Sequence, residues 1–255
     1  MAIAFDAFSA GTSGASPKTV AHTAAAPGAN MAVYALVFND TADTVTGVTY
    51  DGNAMTQRAK EITNGFSYIY EYIGTTTSGA KNVVASASSG TLYLSVITFT
   101  NVNAFDAGSN NADFGSTTLN LPITTVADNA FAVAILYDGG QTSTPTGGTN
   151  TTKAGANGDY SGIVTFYSTA AFTPAGAKNL VANVTAGGTN SWAIVSFSPT
   201  TGASTVTPSV NEAVTLTESV AMKMDLQNLA ANEAVTVTDA LTMHMPISLR
   251  MEKLS

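Results

Sequence analysis

The sequence predicts an all-β protein: an antiparallel, jelly-roll-like β-sandwich made of two related halves, followed by an extended β-strand arm at the C-terminus. Three observations favour this fold class. No stretch of the chain has a convincing 3.6-residue periodicity of apolar residues. Short apolar runs alternate with turns rich in Gly, Asn and Asp. One longer pattern of residues occurs twice, about 97 positions apart.

This repeated pattern covers residues 79–99 and 176–197. Each copy begins Gly-Ala-Lys-Asn, continues with a short apolar run, passes a Gly-Thr turn and ends in a second apolar run that closes on Phe. A strand, a glycine-containing turn and another strand are typical of a hairpin. The repeat therefore predicts two half-domains with the same order of strands.

The first hundred residues fit a series of short strands. Apolar residues open the chain, residues 11–17 form a turn-rich loop, and 20–23 predicts a short strand. The runs 31–38 and 130–137 are strong strands at equivalent places in the two halves. Both runs are almost continuously apolar, which predicts that both of their faces are buried or that the exposed face is lined with alanine.

An aromatic strand follows the hairpin of the first half. Residues 45–50 predict a strand. Asp51 and Gly52, which are typical of a type I′ hairpin turn, reverse the chain after it. In the run 66–73 the aromatic side chains alternate with Ile69 and Ile73, and 162–167 is the counterpart in the second half. The candidate ligand-binding residues lie on this strand, because a row of rings can stack on sugars: Tyr68, Tyr70 and Tyr72. The pattern favours the alternative, in which these rings pack one sheet against the other.

Two segments predict loops. Residues 105–115 are rich in Asn, Asp and Gly and predict an exposed crossing loop, with a further strand over 119–124. Residues 139–159 predict the longest loop of the chain, and a loop of that length is often functional.

Composition excludes several classes of function. Charged residues make up 10% of the chain and the net charge is −8, which argues against a nucleic-acid-binding surface. The chain has no cysteine and no apolar run near the roughly 20 residues of a membrane helix, and its first residues predict no signal peptide. The sequence therefore predicts a protein that is made in the cytoplasm, with no nucleic-acid or membrane partner.

The chain also lacks a recognisable catalytic or metal-binding motif. Its two histidines are His22 and His244, and His22 lies among Ala and Thr, which favours a packing role over catalysis. Asp40 with Asp43 could supply carboxylates for calcium or for hydrolysis, as could other loop aspartates such as Asp106 with Asp113. Turns favour Asp for local hydrogen bonding, so we expect no enzyme activity, cofactor or metal.

The composition changes after Gly202, which predicts a domain of residues 1–202 and a separate segment of residues 203–255. This segment contains no glycine and no aromatic residue but five of the eight methionines. The octet 211–218, Asn-Glu-Ala-Val-Thr-Leu-Thr-Glu, recurs in close form at 232–239, a spacing of 21 residues.

Apolar residues recur at every second position of this segment over an unusually long stretch, which is the period of a β-strand. Glu218 and Asp239 interrupt the apolar face. An isolated hairpin is marginally stable, so its apolar face must contact something else. We expect an arm that pairs by strand addition with neighbouring copies or a particle surface. The alternative is that the segment completes the parent sandwich. The candidate interface residues of the arm are Val214, Leu216, Val220, Met222, Met224, Leu226, Val235, Val237, Leu241, Met243, Met245, Ile247 and Leu249.

Residues 45–56 (Val-Thr-Gly-Val-Thr-Tyr-Asp-Gly-Asn-Ala-Met-Thr) resemble a segment recurrent in β-sandwich proteins of bacteriophages and bacterial surfaces. The strand 79–84 and the Phe-terminated strand 96–99 are similar to a later part of the same modules, and the repeats at 211–218 and 232–239 resemble repeats attached to phage structural proteins. The resemblance implies a virion structural protein, such as a capsid decoration or head-fibre protein, whose partners are its own copies and other capsid proteins.

Two other functions remain open from the sequence. The first is a carbohydrate-binding or host-adhesion module, with the tyrosine strand and the 139–159 loop as its site. The second is a tail-tube or baseplate subunit, which has the same composition and differs in how its copies assemble.

Overall fold

A computed structural model describes residues 1–139, 144–185 and 188–200. The strands of the first half are β1 (Ala4–Ala10), β2 (Lys18–His22), β3 (Met31–Asn39), β4 (Val45–Tyr50), β5 (Asn53–Ala54), β6 (Thr56–Glu61), β7 (Phe66–Gly74), β8 (Lys81–Ala87) and β9 (Leu92–Thr100). Those of the second half are β10 (Val102–Phe114), β11 (Thr118–Thr125), β12 (Phe131–Asp138), β13 (Thr146–Gly147), β14 (Thr151–Ala156), β15 (Ile163–Ser168), β16 (Gly176–Asn183) and β17 (Thr189–Pro199). The described residues contain no helix, and the predicted all-β class is confirmed.

The two halves have the same strand order. In the first half a five-stranded sheet runs β1-β9-β3-β7-β6 and a four-stranded sheet runs β2-β8-β4-β5. In the second half a five-stranded sheet runs β10-β17-β12-β15-β14 and a three-stranded sheet runs β11-β16-β13. Every pair of hydrogen-bonded neighbouring strands is antiparallel. The second half therefore repeats the first strand by strand, except that it has no strand equivalent to β5.

The sheets stack in four layers around three hydrophobic cores. We call the five-stranded sheets the inner sheets and the other two the outer sheets. One core fills the space between each inner sheet and its own outer sheet, and the third lies between the two inner sheets. The architecture is thus two sandwiches joined face to face, which differs from the single two-sheet sandwich predicted from the sequence.

Buried strands of the inner sheets show why four layers form. All nine residues of β3 are buried, because its two faces contribute to two different cores. On β7, Tyr68 and Tyr70 point toward the outer sheet, whereas Ile69 points toward the other half. The alternation predicted for residues 66–73 is confirmed.

The halves contact each other through equivalent residues. Phe38 and Tyr137 hold the same place in β3 and β12, and their rings stack with centroids 4.4 Å apart. Phe99 and Phe197 are equivalent in β9 and β17, and their centroids are 4.8 Å apart. Contact between equivalent residues is the property of an isologous, two-fold interface. The two halves therefore pack on each other like the subunits of a symmetric dimer within one chain.

The prediction of a crossing loop over 105–115 is wrong, because most of this segment belongs to β10. The strand pairs with β17 from Val102 to Phe114, with two register shifts near its start. Asn, Asp and Gly have low intrinsic strand propensity, but a half-exposed edge strand tolerates them when its backbone is paired. The predicted 139–159 loop likewise contains β13 and β14.

The C-terminal segment lies outside the described residues. The predicted boundary at 202/203, the 21-residue repeat and the arm interface residues from Val214 to Leu249 fall there, so they stay predictions.

Candidate functional site

The tyrosines of β7 lie in the core between the sheets of the first half. Tyr68 is 1% exposed and Tyr70 is 5% exposed. The Tyr68 hydroxyl donates to Asp43 Oδ1 at 2.7 Å, and burial together with this bond raises the pKa of Tyr68. Tyr72 packs against the same core, with its ring 5.1 Å from that of Tyr50. The buried rings of Tyr68 and Tyr70 offer no face for stacking a sugar, whereas Tyr72 is half-buried, and all three rings pack against the core of the first half.

His22 is buried at 1% exposure between the two sheets of the first half. Its Nδ1 lies 3.0 Å from Ser9 Oγ, and its Nε2 contacts Thr98 Oγ1. Burial lowers the pKa of His22 to about 4, and the nearby Asp6 carboxylate opposes that shift. The equivalent residue of the second half is Ile123, so the same position holds either a hydrogen-bonded imidazole or an aliphatic side chain.

The aspartates that the sequence predicted in loops accept backbone N–H groups. Asp40 Oδ1 accepts the Thr91 N–H at 2.7 Å, and Asp113 Oδ1 accepts the Ser116 N–H at 3.0 Å. Within the described ranges, no group of three or more His, Asp or Glu side chains is placed to hold a metal ion.

A repeated aspartate holds the same bulge in both halves. Asp6 accepts the N–H groups of Ala25 and Ala26 at 2.9 and 2.7 Å. Asp106 accepts two consecutive N–H groups, from 126 and 127, and also the Ser196 hydroxyl at 2.7 Å. In both halves the register shifts at this aspartate. The tetrapeptide Ala-Phe-Asp-Ala at 4–7 and at 104–107 is the sequence signal for this feature, and the sequence analysis did not use it.

A polar network bridges the two halves. Glu71 is 3% exposed, accepts the Tyr34 hydroxyl at 2.7 Å and pairs with Arg58 Nε at 2.6 Å. The Arg58 guanidinium lies 4.6 Å from the ring centre of Phe105 in the second half. The buried carboxylate is therefore both hydrogen-bonded and charge-paired, as burial of a charge requires.

The ends of the described chain meet at one groove. The Met1 ammonium donates to the Thr200 carbonyl at 2.9 Å, and the Thr200 N–H donates to the Asn101 carbonyl at 2.8 Å. Beside them lies a groove of about 720 Å³, lined by residues 1–3, 127–129 and 198–200.

No family model, curated protein or solved structure matches this chain. Among the described residues there is no helix long and apolar enough to cross a membrane.

Proposed function

We propose that this chain is a non-enzymatic structural protein of a phage particle, made in the host cytoplasm and decorating or projecting from the capsid. Its C-terminal segment joins it to other copies or to other virion proteins by strand addition. The four-layer body is the part that the particle displays.

The observation that carries this proposal is the sequence pattern that follows the folded body. Two hydrogen bonds hold Thr200, the last described residue, beside Met1 and Asn101. The 55 residues that follow have the alternating apolar pattern and the 21-residue repeat. A sequence with such a pattern needs a partner surface to cover its apolar positions.

The strand order supports the finer description of each half as a jelly roll. In both halves the first strand pairs with the last one in the inner sheet, whereas the second strand lies in the outer sheet beside the strand that precedes the last. Consecutive strands thus cross between two sheets, as in the double-sheet jelly rolls that include viral capsid domains. The same fold also occurs in lectins, so the strand order supports the proposal without deciding it.

Self-association of the full chain tests this proposal. We expect sedimentation velocity to show oligomers of the native chain. The double variant Leu216→Glu/Leu241→Glu should be monomeric, because two charges on the apolar positions would oppose burial of that face.

The matched control is Thr215→Glu/Thr242→Glu, which adds the same charges at the alternate positions. This control should associate like the native chain. Equal association of all three proteins, with circular dichroism showing them equally folded, would contradict the proposal.

A further inference from the structure

The two outer sheets differ at one turn. In the first half, the Asp51-Gly52 turn leads from β4 into β5, and both turn residues have positive φ, 49° and 80°. Asp51 Oδ2 lies 3.2 Å from Lys81 Nζ, and the Asp51 N–H donates to the Asn82 carbonyl of β8. An ion pair and a backbone hydrogen bond therefore close this corner of the first half.

In the second half the same corner lacks both the carboxylate and the hairpin. β13 leaves the edge of β16 at Gly148, where the Thr151 N–H donates to the Gly148 carbonyl, and Asn150 lies in this turn with a left-handed backbone, φ of 60°. Lys178 holds the position of Lys81 in the repeated Gly-Ala-Lys-Asn sequence. The chain passes from Gly148 to Thr152 of β14 in four residues, whereas the first half takes seven residues from the equivalent Thr49 to Thr56 of β6, and the described residues include no β5 equivalent.

The shorter turn leaves a cleft of about 230 Å³. It is lined by Asn150, Ala170, Ala171, Phe172, Thr173 and Lys178. Across the ranges that the structure describes, no ion pair involves Lys178. Phe172 is buried and supplies an apolar wall, whereas the amide of Asn150 and the ammonium of Lys178 supply hydrogen-bond donors.

The edge of β16 is open beside this cleft at Asn179. β13 pairs with β16 only at Ala182 and Asn183, and beyond them the Val181 carbonyl accepts the Gly148 N–H and the Val181 N–H donates to Thr151 Oγ1 at 2.6 Å. The register places the backbone groups of Asn179 on this same edge, where its counterpart Asn82 accepts the Asp51 N–H. No described residue outside β11 forms a backbone hydrogen bond to Asn179.

We propose that this corner docks an extended segment of another protein chain that carries a carboxylate side chain. The carboxylate pairs with Lys178 and accepts from the Asn150 amide, and the backbone of the segment bonds to Asn179 at the edge of β16. An apolar residue of the segment packs on Phe172. The docked segment occupies the place that Asp51 and its hairpin have in the first half. This site goes beyond the proposed role in a particle and does not depend on it.

The hairpin of the first half is itself the probe. We use the peptide 45–56, acetylated and amidated at its ends, whose one charged residue is Asp51. Added to the full-length ¹⁵N-labelled protein at up to about 1 mM, it should shift the amide signals of residues 177–179 and Asn150. Lys178→Ala should weaken binding about threefold, as expected for one exposed ion pair.

The matched control is Lys81→Ala, because Lys81 already pairs with Asp51 of its own half. This variant should bind the peptide like the native protein. The Asp51→Asn peptide should bind the native protein as weakly as the native peptide binds the Lys178→Ala variant. The Asp51→Asn peptide should bind the Lys178→Ala variant with no further loss of affinity.

Three results would overturn the proposal. One is an absence of shifts at residues 177–179, and another is equal peptide affinity of the Lys178→Ala and Lys81→Ala variants. The third is displacement of the peptide by low-millimolar acetate or phosphate at constant ionic strength, which would show a site for a free anion instead of a docked segment. Thermal melting of both variants checks that neither change unfolds the body.

Discussion

The two halves of the body share a strand order but differ in what they bury and in what they leave open. At the position of His22 in the first half, the second half has Ile123, and the ion-paired turn at Asp51 has no counterpart among the described residues of the second half. The first half thus has a hydrogen-bonded histidine at the edge of its core and a four-stranded outer sheet. The second half has an aliphatic side chain at that position and a three-stranded outer sheet. Duplication fixes the topology of both halves, and side-chain differences give each half its own chemistry.

The largest expected effect tests the equivalence of the halves at their shared interface. Phe99→Ala and Phe197→Ala each remove a fully buried ring from the core between the inner sheets. Each change should lower the free energy of unfolding by about 3–5 kcal/mol. Chemical denaturation of both variants measures the loss of unfolding free energy. Clearly different losses at the two positions would show that the halves do not contribute equally to their interface.

The next largest effect is the change in the free energy of unfolding with pH that His22 of the first half causes. In the folded protein the pKa of His22 is about 4, below its ordinary value of 6.5, so the unfolded chain binds a proton first as the pH falls. Stability is therefore fully present above about pH 6.5 and is lost toward pH 4, by about 3 kcal/mol for this residue.

His22→Ile places the side chain of the second half at this position and removes that titration. Between pH 7 and pH 4, urea denaturation should show that the variant loses about 3 kcal/mol less than the native protein. The carboxylates titrate in both proteins, so their contribution cancels. Identical pH profiles would show that His22 is not held neutral in the core. At pH 7 the variant should be about 1–2 kcal/mol less stable, because the hydroxyls of Ser9 and Thr98 lose their partner.

The smallest expected effect concerns the repeated bulge. Asp6→Ala removes a carboxylate that accepts two backbone N–H groups, and should cost about 1–2 kcal/mol. Asp106→Ala also removes the bond from the Ser196 hydroxyl and should cost about 1 kcal/mol more. Thermal denaturation of the two variants in parallel gives this difference. A greater loss from Asp6→Ala would contradict the comparison.

Local patterns in the sequence predicted much of each half. The aromatic alternation of residues 66–73 and the repeated Gly-Ala-Lys-Asn strand indicated the correct elements, because side-chain period and turn chemistry are local properties. The continuous burial of β3 contained the signal for a third core, since a strand buried on both faces needs a layer on each side.

Features that depend on distant residues could not be predicted in the same way. β10 owes its structure to pairing with β17, about 90 positions later, and its own composition indicates a loop. Lys178 shows no special feature in the sequence, because the absence of a carboxylate partner for it among the described residues depends on a shorter turn elsewhere in the chain. Tyr68 and Tyr70 of β7 lie in the core between the sheets, as the favoured packing interpretation of their alternation predicted.

The most direct test of the central claim compares particle incorporation of the full chain with that of residues 1–202. Both proteins are produced during assembly of the phage to which the proposed function assigns the chain, and purified particles are examined by quantitative mass spectrometry and cryo-electron microscopy. We predict full occupancy by the native chain and none by the truncated one, which should stay folded with an unchanged melting temperature. Normal incorporation of residues 1–202, or unfolding of the truncated body, would contradict assembly through a separate C-terminal segment.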